Sequence, residues 1–181
     1  MILLTSGVAL WWGAHLFKRL APEARANMGD KGRGLMALLI ALSVVLMVLG
    51  YRAADGAFFW GRHPATVGIN NLMMIAALYF TSPGPKKGAI FYKMRHPMLT
   101  GFLIWALAHI LVNGDVPSFV LFGGLGVWAL VEMMVINRAE PEWSAPAKGK
   151  IGKDAMFVGI SVVLLGIIGM IHSYLGYSPF G

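Results

Sequence analysis

The chain has 181 residues, of which 57% are apolar and only 13% are charged. Soluble domains carry about 25% charged residues, so a soluble fold of this composition would expose extensive apolar patches. The sequence has no cysteine, which excludes disulfides, thiolate metal ligands and haem attached through a Cys-x-x-Cys-His motif. The composition therefore predicts an integral membrane protein.

Six apolar segments approach the length of about 20 residues that a helix needs to cross a bilayer. They lack the alternation of barrel strands, and a helix satisfies its own backbone polar groups in hydrocarbon. The sequence therefore predicts an all-α bundle of about six transmembrane helices that form a single domain over residues 1–181. The first segment has no basic lead-in, so we expect a retained helix rather than a cleaved signal. The predicted segments are Ile2–Phe17, Gly34–Tyr51, Val67–Ser82, Met98–Val112, Val116–Ile136 and Ala155–Tyr174.

The basic residues are distributed unevenly between the loops. All but two of the 15 lysines and arginines follow the first, third or fifth segment, and the exceptions are Arg52 and Arg62. Cytoplasmic loops carry the excess of Lys and Arg, so these three loops are predicted to be cytoplasmic and both termini to lie on the outer, periplasmic side. The net charge of +7 is thereby explained by topology, and we expect no nucleic-acid partner.

Two predicted helices carry the same pattern, Gly-x3-Trp-x2-Ala-His, at residues 7–15 and 101–109. An ionisable side chain within a membrane is costly and usually has a partner or a function. Residues four apart share a helix face, so we expect Trp11 beside His15 and Trp105 beside His109. The helical rise places each histidine ~21 Å from the surface where its helix starts, which is near the midplane of a bilayer.

Two neutral imidazoles that face each other suit the iron of a non-covalently bound haem, so His15 and His109 are predicted as axial metal ligands. The alternative is that each histidine only hydrogen-bonds to a neighbouring helix. Zinc is less suitable because carboxylates are scarce in this sequence. His63 and His96 each precede a proline, where a role at a helix N-terminus is expected, and they remain alternative haem ligands. His172, near the end of the last segment, is expected at the membrane interface.

Four stretches in the central part of the chain form a distinctive set: Arg95-His-Pro-Met-Leu-Thr-Gly101, Trp105-Ala-Leu-Ala-His109, Asn113-Gly-Asp115 and Leu121-Phe-Gly-Gly124. Through them the chain resembles the NnrU family of bacterial membrane proteins, and the resemblance extends over nearly the whole length. It implies a link to denitrification and nitric oxide metabolism. The same family includes the cis-zeta-carotene isomerase of plants and cyanobacteria, which uses haem b held by two histidines that correspond to His15 and His109. That isomerase has a cysteine where this chain has Ala106, which weakens the transfer of its activity.

With this resemblance we predict a multi-pass protein of the bacterial inner membrane that binds haem b. Trp11 and Trp105 are expected beside the porphyrin, and Arg19 and Arg95 near its propionates. We include His96 in the cofactor-binding set. The iron is expected to serve a redox or gas-linked role, with nitric oxide as the leading ligand. Isomerase-like chemistry on an apolar ligand stays open, as does whether the protein is an enzyme.

Two other interpretations come from different classes of protein. Arg95-His-Pro-x3-Gly101, followed by Asn137-Arg-x-Glu140-x-Glu142, is similar to the isoprenylcysteine and phospholipid methyltransferases of membranes, which implies binding of S-adenosylmethionine. Pro141 interrupts the usual Glu-Glu pair, which puts this resemblance in doubt. The third interpretation is a non-catalytic accessory subunit of a respiratory reductase.

Overall fold

A computed structural model describes residues 1–180. Each of the six predicted segments is helical in it, apart from Ser82, which follows the last residue of its helix. Two short strands, β1 (Phe58–Trp60) and β2 (Gly114–Asp115), pair with each other. The helices are α1 (Ile2–Leu20), α2 (Pro22–Asn27), α3 (Gly29–Arg52), α4 (Pro64–Thr81), α5 (Gly84–Lys87), α6 (Pro97–Val112), α7 (Val116–Ser118), α8 (Gly124–Ala139) and α9 (Ile151–Tyr174).

Three helical stretches are long and apolar enough to cross a membrane. They are α3, the stretch Val116–Ala139 and α9, each of 24 residues, and α6 is a shorter apolar helix. The stretch Val116–Ala139 combines α7 and α8 through a π-helical turn at Phe119–Gly123. Large apolar side chains remain exposed on these helices, such as Val163 at 62% and Met170 at 63% on α9. The protein is therefore a multi-pass membrane protein whose apolar helix faces suit contact with lipid.

The polar loops contain more helix than the hydropathy pattern indicates. The loop after α1 holds α2, and α3 begins at Gly29, five residues before the predicted start at Gly34. The loop after α4 holds the short helix α5. Proline lies in the first turn of both short helices, a position where its fixed φ favours helix and its missing N–H costs nothing. These helices were missed because they carry charged residues rather than an apolar run.

The described residues form two compact units. Unit 1 consists of Met1–Phe59 and Gly114–Pro141, and unit 2 consists of Trp60–Asn113 and residues 142–180. Each unit therefore combines a helical pair with a segment that follows much later in the sequence. In unit 1, α1 packs against α3 and α8, and in unit 2, α4 packs against α6 and α9.

Small residues allow close approach of the paired helices in unit 1. A Cβ atom on Gly50 of α3 would lie 2.3 Å from the backbone nitrogen of Leu4, and one on Gly7 of α1 would lie 2.8 Å from Met47.

Polar side chains add two contacts within this unit. The indole N–H of Trp12 donates to the carbonyl of Gly124 at 3.1 Å. The hydroxyl of Tyr51 hydrogen-bonds to the hydroxyl of Ser118 in α7 at 2.8 Å.

Unit 2 has a small apolar core and one buried carboxylate. The core joins Met74 of α4, Ala108 of α6 and Leu165 of α9. On α6, a Cβ atom at Gly101 would lie 2.7 Å from the carbonyl oxygen of Ala77, so α6 and α4 also approach closely. Gly101 and Gly7 occupy the same place in the repeated pattern, and in each unit this glycine faces the partner helix.

The buried carboxylate belongs to Asp154, in the first turn of α9, whose side chain is 3% exposed. It accepts a hydrogen bond from the hydroxyl of Tyr79 at 2.5 Å and from the backbone N–H of Ala89 at 2.6 Å. The loop after α5 passes so close that a Cβ atom on Gly88 would lie 2.0 Å from this carboxylate. Asp154 therefore joins α9, the C-terminal part of α4 and the loop that leads towards α6.

Candidate functional site

His15 lies within a cluster of three aromatic rings in unit 1. Its ring centroid lies 4.2 Å from that of Trp11 and 4.8 Å from that of Trp128 on α8. The two indoles contact each other edge to face, with centroids 5.3 Å apart. The contact between Trp11 and His15 is the one that their spacing predicts. We refer to Trp11, His15 and Trp128 as the His15 cluster.

The hydrogen bond of His15 fixes which ring nitrogen is available to a ligand. Its Nδ1 lies 2.9 Å from the carbonyl oxygen of Trp11, one turn earlier in α1. A carbonyl only accepts, so Nδ1 carries the proton, and in the neutral imidazole Nε2 keeps its lone pair. Histidines that bind metals through Nε2 usually donate Nδ1–H in this way, which orients the ring.

His109 has the same local arrangement in unit 2. Its Nδ1–H donates to the carbonyl of Trp105 at 2.8 Å, and the two rings lie 5.0 Å apart. The side-chain amide of Asn113 donates to the carbonyl of His109 at 2.9 Å, which holds the end of α6. The contact between Trp105 and His109 expected from their spacing is therefore present. Their roles as haem-binding residues stay predictions.

A second histidine of unit 2 lies near His109. The side chains of His109 and His172 are close enough to interact electrostatically. His172 also donates through Nδ1 to a carbonyl four residues earlier, that of Ile168, at 2.8 Å. Sequence reasoning missed this proximity and the contact of Trp128 with His15, because both depend on how separate helices pack.

The helix bounds show where each histidine lies along its own helix. His15 lies five residues before Leu20, the last residue of α1. His109 lies three residues before Val112, the last residue of α6. Each histidine is therefore in the C-terminal half of its own helix, and its expected position near the midplane of a bilayer stays a prediction.

Arg19 lies one turn beyond His15 on α1 and binds the carboxylate of Glu140, the residue that follows α8. Its guanidinium donates to Glu140 at 2.5 Å, and it interacts electrostatically with Glu132. The Oε2 atom of Glu132 is buried and, within residues 1–180, has no hydrogen-bond partner. Arg19 therefore already binds a carboxylate on the side of α1 that carries His15, and its predicted role towards a haem propionate stays a prediction.

His63 and His96 occupy equivalent positions before two helices but differ in what they do. His63 caps α4: its side chain accepts from the N–H of Ala65 at 3.3 Å, while its own N–H donates to the hydroxyl of Thr66 at 3.1 Å. The expected role of His63 at a helix N-terminus is confirmed. The side chain of His96 makes no capping bond to α6 and lines a cavity of 330 Å³ together with Arg95.

Comparison with known proteins gives one family. The family described as NnrU protein matches residues 3–179, a range that includes the Trp–His pairs of both units. No curated protein matches the chain, and no solved structure does.

Proposed function

The chain belongs to the NnrU family, and from this premise we propose that it is a membrane protein that binds haem b non-covalently through His15 and His109. The observation that carries the proposal is the repeated Trp–His arrangement. In each unit, a half-buried imidazole lies against an indole and donates Nδ1–H to the carbonyl four residues earlier. Both histidines thus have a free lone pair on Nε2, and this nitrogen can coordinate the iron of haem.

The residues around each histidine suit a porphyrin chemically. Trp11 and Trp105 offer flat apolar surfaces beside the two candidate ligands. Arg19 is proposed for one propionate because its guanidinium already forms an ion pair with a carboxylate, and Arg95 and His96 complete the proposed set. Bound haem would supply a one-electron iron couple and a binding place for a gas such as nitric oxide if one histidine were displaced.

We further propose six membrane crossings with both termini outside, in the bacterial inner membrane. Six helices of 16 residues or more, counting Val116–Ala139 as one, coincide with the six apolar segments. The loops that follow α1, α4 and α8, together with the helix ends next to these loops, carry all but two of the lysines and arginines. Positive residues favour the cytoplasmic side, which supports this orientation.

Family membership supports a role connected with denitrification. We propose that the haem either binds nitric oxide or transfers electrons to a respiratory reductase. The isomerase-like alternative is less well supported. At position 106, where the related isomerase carries a cysteine, this chain has an alanine that is 1% exposed. A thiolate ligand is therefore absent from this place on α6.

The decisive experiment measures haem in the purified full chain supplied with haemin. We expect a Soret band, six-coordinate b-type bands on reduction, and their loss in both His15→Ala and His109→Ala. His63→Ala is the matched control, because it removes an imidazole that caps α4 and should keep haem. A chain that binds no haem when intact, or keeps full haem content in both ligand variants, would contradict the proposal.

Haem stoichiometry separates three arrangements of ligands. One haem per chain that is lost in either single variant supports a pair formed by His15 and His109. Two haems per chain, with one lost in each variant, would mean separate sites. Retention in His15→Ala with loss in both His109→Ala and His172→Ala would assign both ligands to unit 2, where these two imidazoles interact.

One observation favours testing the methyltransferase alternative alongside. The cavity lined by Arg95 and His96 belongs to the part of the sequence that resembles those enzymes. Glu140 of the same motif forms an ion pair with Arg19. Stoichiometric binding of S-adenosylmethionine without a Soret band would favour this alternative, and co-purification with a reductase in the absence of both ligands would favour an accessory subunit.

A further inference from the structure

A second cavity of unit 2 lies between α4, α9 and the loop after α5. Its volume is 280 Å³, and six of its eight lining residues are apolar. The other two are Tyr79 and Asp154, which already hydrogen-bond to each other at 2.5 Å. An occupant therefore needs no polar group inside this cavity, and the wall suits an apolar chain.

The cavity opens to the outer surface of unit 2. Leu72 on α4 is 69% exposed, and Ile90 in the loop after α5 is 56% exposed. Because Leu72 lies seven residues before Tyr79, the cavity extends about 10 Å along α4. In a bilayer the medium at this surface is hydrocarbon, and an unfilled space would forfeit dispersion contacts along its wall. A lipid chain is therefore the occupant that the surroundings supply.

Two basic segments meet at the end of the cavity where Asp154 lies. The backbone N–H of Gly149 donates to the carbonyl of Gly88 at 2.9 Å, and that of Ala89 donates to the carboxylate of Asp154 at 2.6 Å. These bonds hold the loop after α5 against the residues around the start of α9, and they bring four exposed lysines into one region. We refer to these residues as the lysine cluster: Lys87, Lys148, Lys150 and Lys153.

The positive charge of the lysine cluster is compensated only in part. Asp154 is the only acidic residue in segments 83–96 and 146–158. Its carboxylate is buried and accepts hydrogen bonds from Tyr79 and Ala89. Among the residues that the structure describes, none of the four lysines forms a salt bridge. The cluster is therefore available to an anionic ligand.

The lysine cluster lies at the level where lipid headgroups are expected. The apolar helix α9 begins at Ile151, directly after the polar loop that carries two of the lysines. In the proposed topology this is the cytoplasmic side, where anionic lipids attract basic residues next to membrane helices. The stem of a lysine can lie along apolar surface while its ammonium group reaches a headgroup. Cations at the end of an apolar cavity are the arrangement that suits an anionic head with an attached chain.

We propose that unit 2 binds an anionic phospholipid of the cytoplasmic leaflet, with its phosphate at the lysine cluster and one acyl chain in the 280 Å³ cavity. Ammonium groups bind phosphate oxygens through charge-assisted hydrogen bonds. The chain packs against Leu72, Ile90 and Val158. None of these residues belongs to the set proposed for haem, and the proposal rests on the proposed topology only for the choice of leaflet.

The headgroup is tested by native mass spectrometry of the full chain in a neutral detergent, with phosphatidylglycerol or phosphatidylcholine of identical acyl chains. We expect preferential retention of phosphatidylglycerol. Lys87→Gln and Lys150→Gln should each weaken it about fivefold, the effect of one basic residue near a lipid surface. Lys31→Gln is the matched control, because Lys31 is an exposed lysine of unit 1 on the same predicted side of the membrane. Its retention of phosphatidylglycerol should equal that of the wild type.

The acyl chain is tested by filling the cavity. Val158→Trp places an indole where the chain is proposed, so phosphatidylglycerol should no longer be retained. Val163→Trp is the matched control, because Val163 lies on the same helix, is 62% exposed and does not line the cavity. Circular dichroism of both variants checks that they are folded. The lysine variants change only exposed side chains, so they test the site even if Val158→Trp does not fold.

Four results would overturn the proposal. Equal retention of the two lipids would show that the charge of the headgroup is not recognised. Equal weakening in Lys31→Gln would show general attraction by basic loops, and full retention in folded Val158→Trp would place the chain outside the cavity. Displacement of phosphatidylglycerol by millimolar inorganic phosphate or by poly-glutamate would identify a free anion or an acidic protein segment as the ligand. Haem is measured separately by its Soret band, so a chain without haem would contradict the proposed function and leave the lipid result unaffected.

Discussion

The buried carboxylate of Asp154 offers the most direct test of the packing in unit 2. Asp154→Ala leaves two donors, the Tyr79 hydroxyl and the Ala89 N–H, without their acceptor. A buried donor that loses its partner costs about 1–3 kcal/mol, so the variant should lose about 2–6 kcal/mol of stability. For a chain of this size each kcal/mol corresponds to about 2–4 °C, so the melting temperature should fall by at least about 4 °C.

The assay is thermal unfolding of the purified chain in detergent, monitored by circular dichroism. Ser161→Ala provides a matched control on the same helix. Its hydroxyl is equally buried but donates only to the carbonyl of Phe157 within α9, so its loss should cost well below 1 kcal/mol. A second measurement is the rate of trypsin cleavage at Lys86 and Lys87, which should rise in Asp154→Ala because the loop after α5 loses its attachment to α9.

A double-mutant cycle checks that the effect comes from the carboxylate and its partner. Tyr79→Phe removes one donor, so adding it to Asp154→Ala should cost less than it does in the wild type. Asp154→Ala with an unchanged melting temperature and an unchanged cleavage rate would refute the reasoning. Full additivity of the two substitutions would refute the specific contact between the hydroxyl and the carboxylate.

Four further substitutions test unit 1 and the cap of α4 by the same melting assay. Gly50→Ala places a Cβ atom against the backbone of Leu4 and should destabilise the chain, whereas Gly34→Ala, in the same helix with nothing within 4 Å, should stabilise it by up to about 1 kcal/mol. Equal effects at the two glycines would contradict the close approach of α1 and α3. Tyr51→Phe loses its hydrogen bond to α7 and should cost about 1 kcal/mol, and a neutral result would argue against that bond. His63→Ala removes the cap of α4 and should also cost about 1 kcal/mol, while an unchanged melting temperature would mean that the cap contributes nothing.

The apolar helices were predictable because hydrocarbon selects for uninterrupted helical runs. All six segments were identified from the sequence, and the error at α3 arose where Asp30 and Arg33 continue the helix beyond the apolar run. The π-helical turn at Phe119–Gly123 was not predicted, because its apolar residues look the same as those of an α-helix. The two-unit arrangement was also not foreseen, since it depends on contacts between distant segments.

The local geometry of the candidate site followed from spacing, whereas its wider surroundings did not. Residues four apart on a helix must be neighbours, so the ring contacts of His15 and His109 could be read from the sequence. Trp128 contacts His15 from another helix, and His172, on a different helix from His109, lies close enough to it for an electrostatic interaction. Trp128 precedes Glu132 by four residues, which is also the spacing of the Trp–His pairs. This spacing was the one sequence pattern that could have drawn attention to Trp128.

The interleaving of the two units has a consequence for biosynthesis. As the chain emerges from the ribosome, α1 and α3 can pair first, and α4 and α6 next. Unit 1 nevertheless waits for α8, and unit 2 waits for α9, which is the last helix to be made. A truncated polypeptide ending before Gly114 would therefore contain both helical pairs but complete neither unit, and quality-control proteases would meet it as an unfinished product.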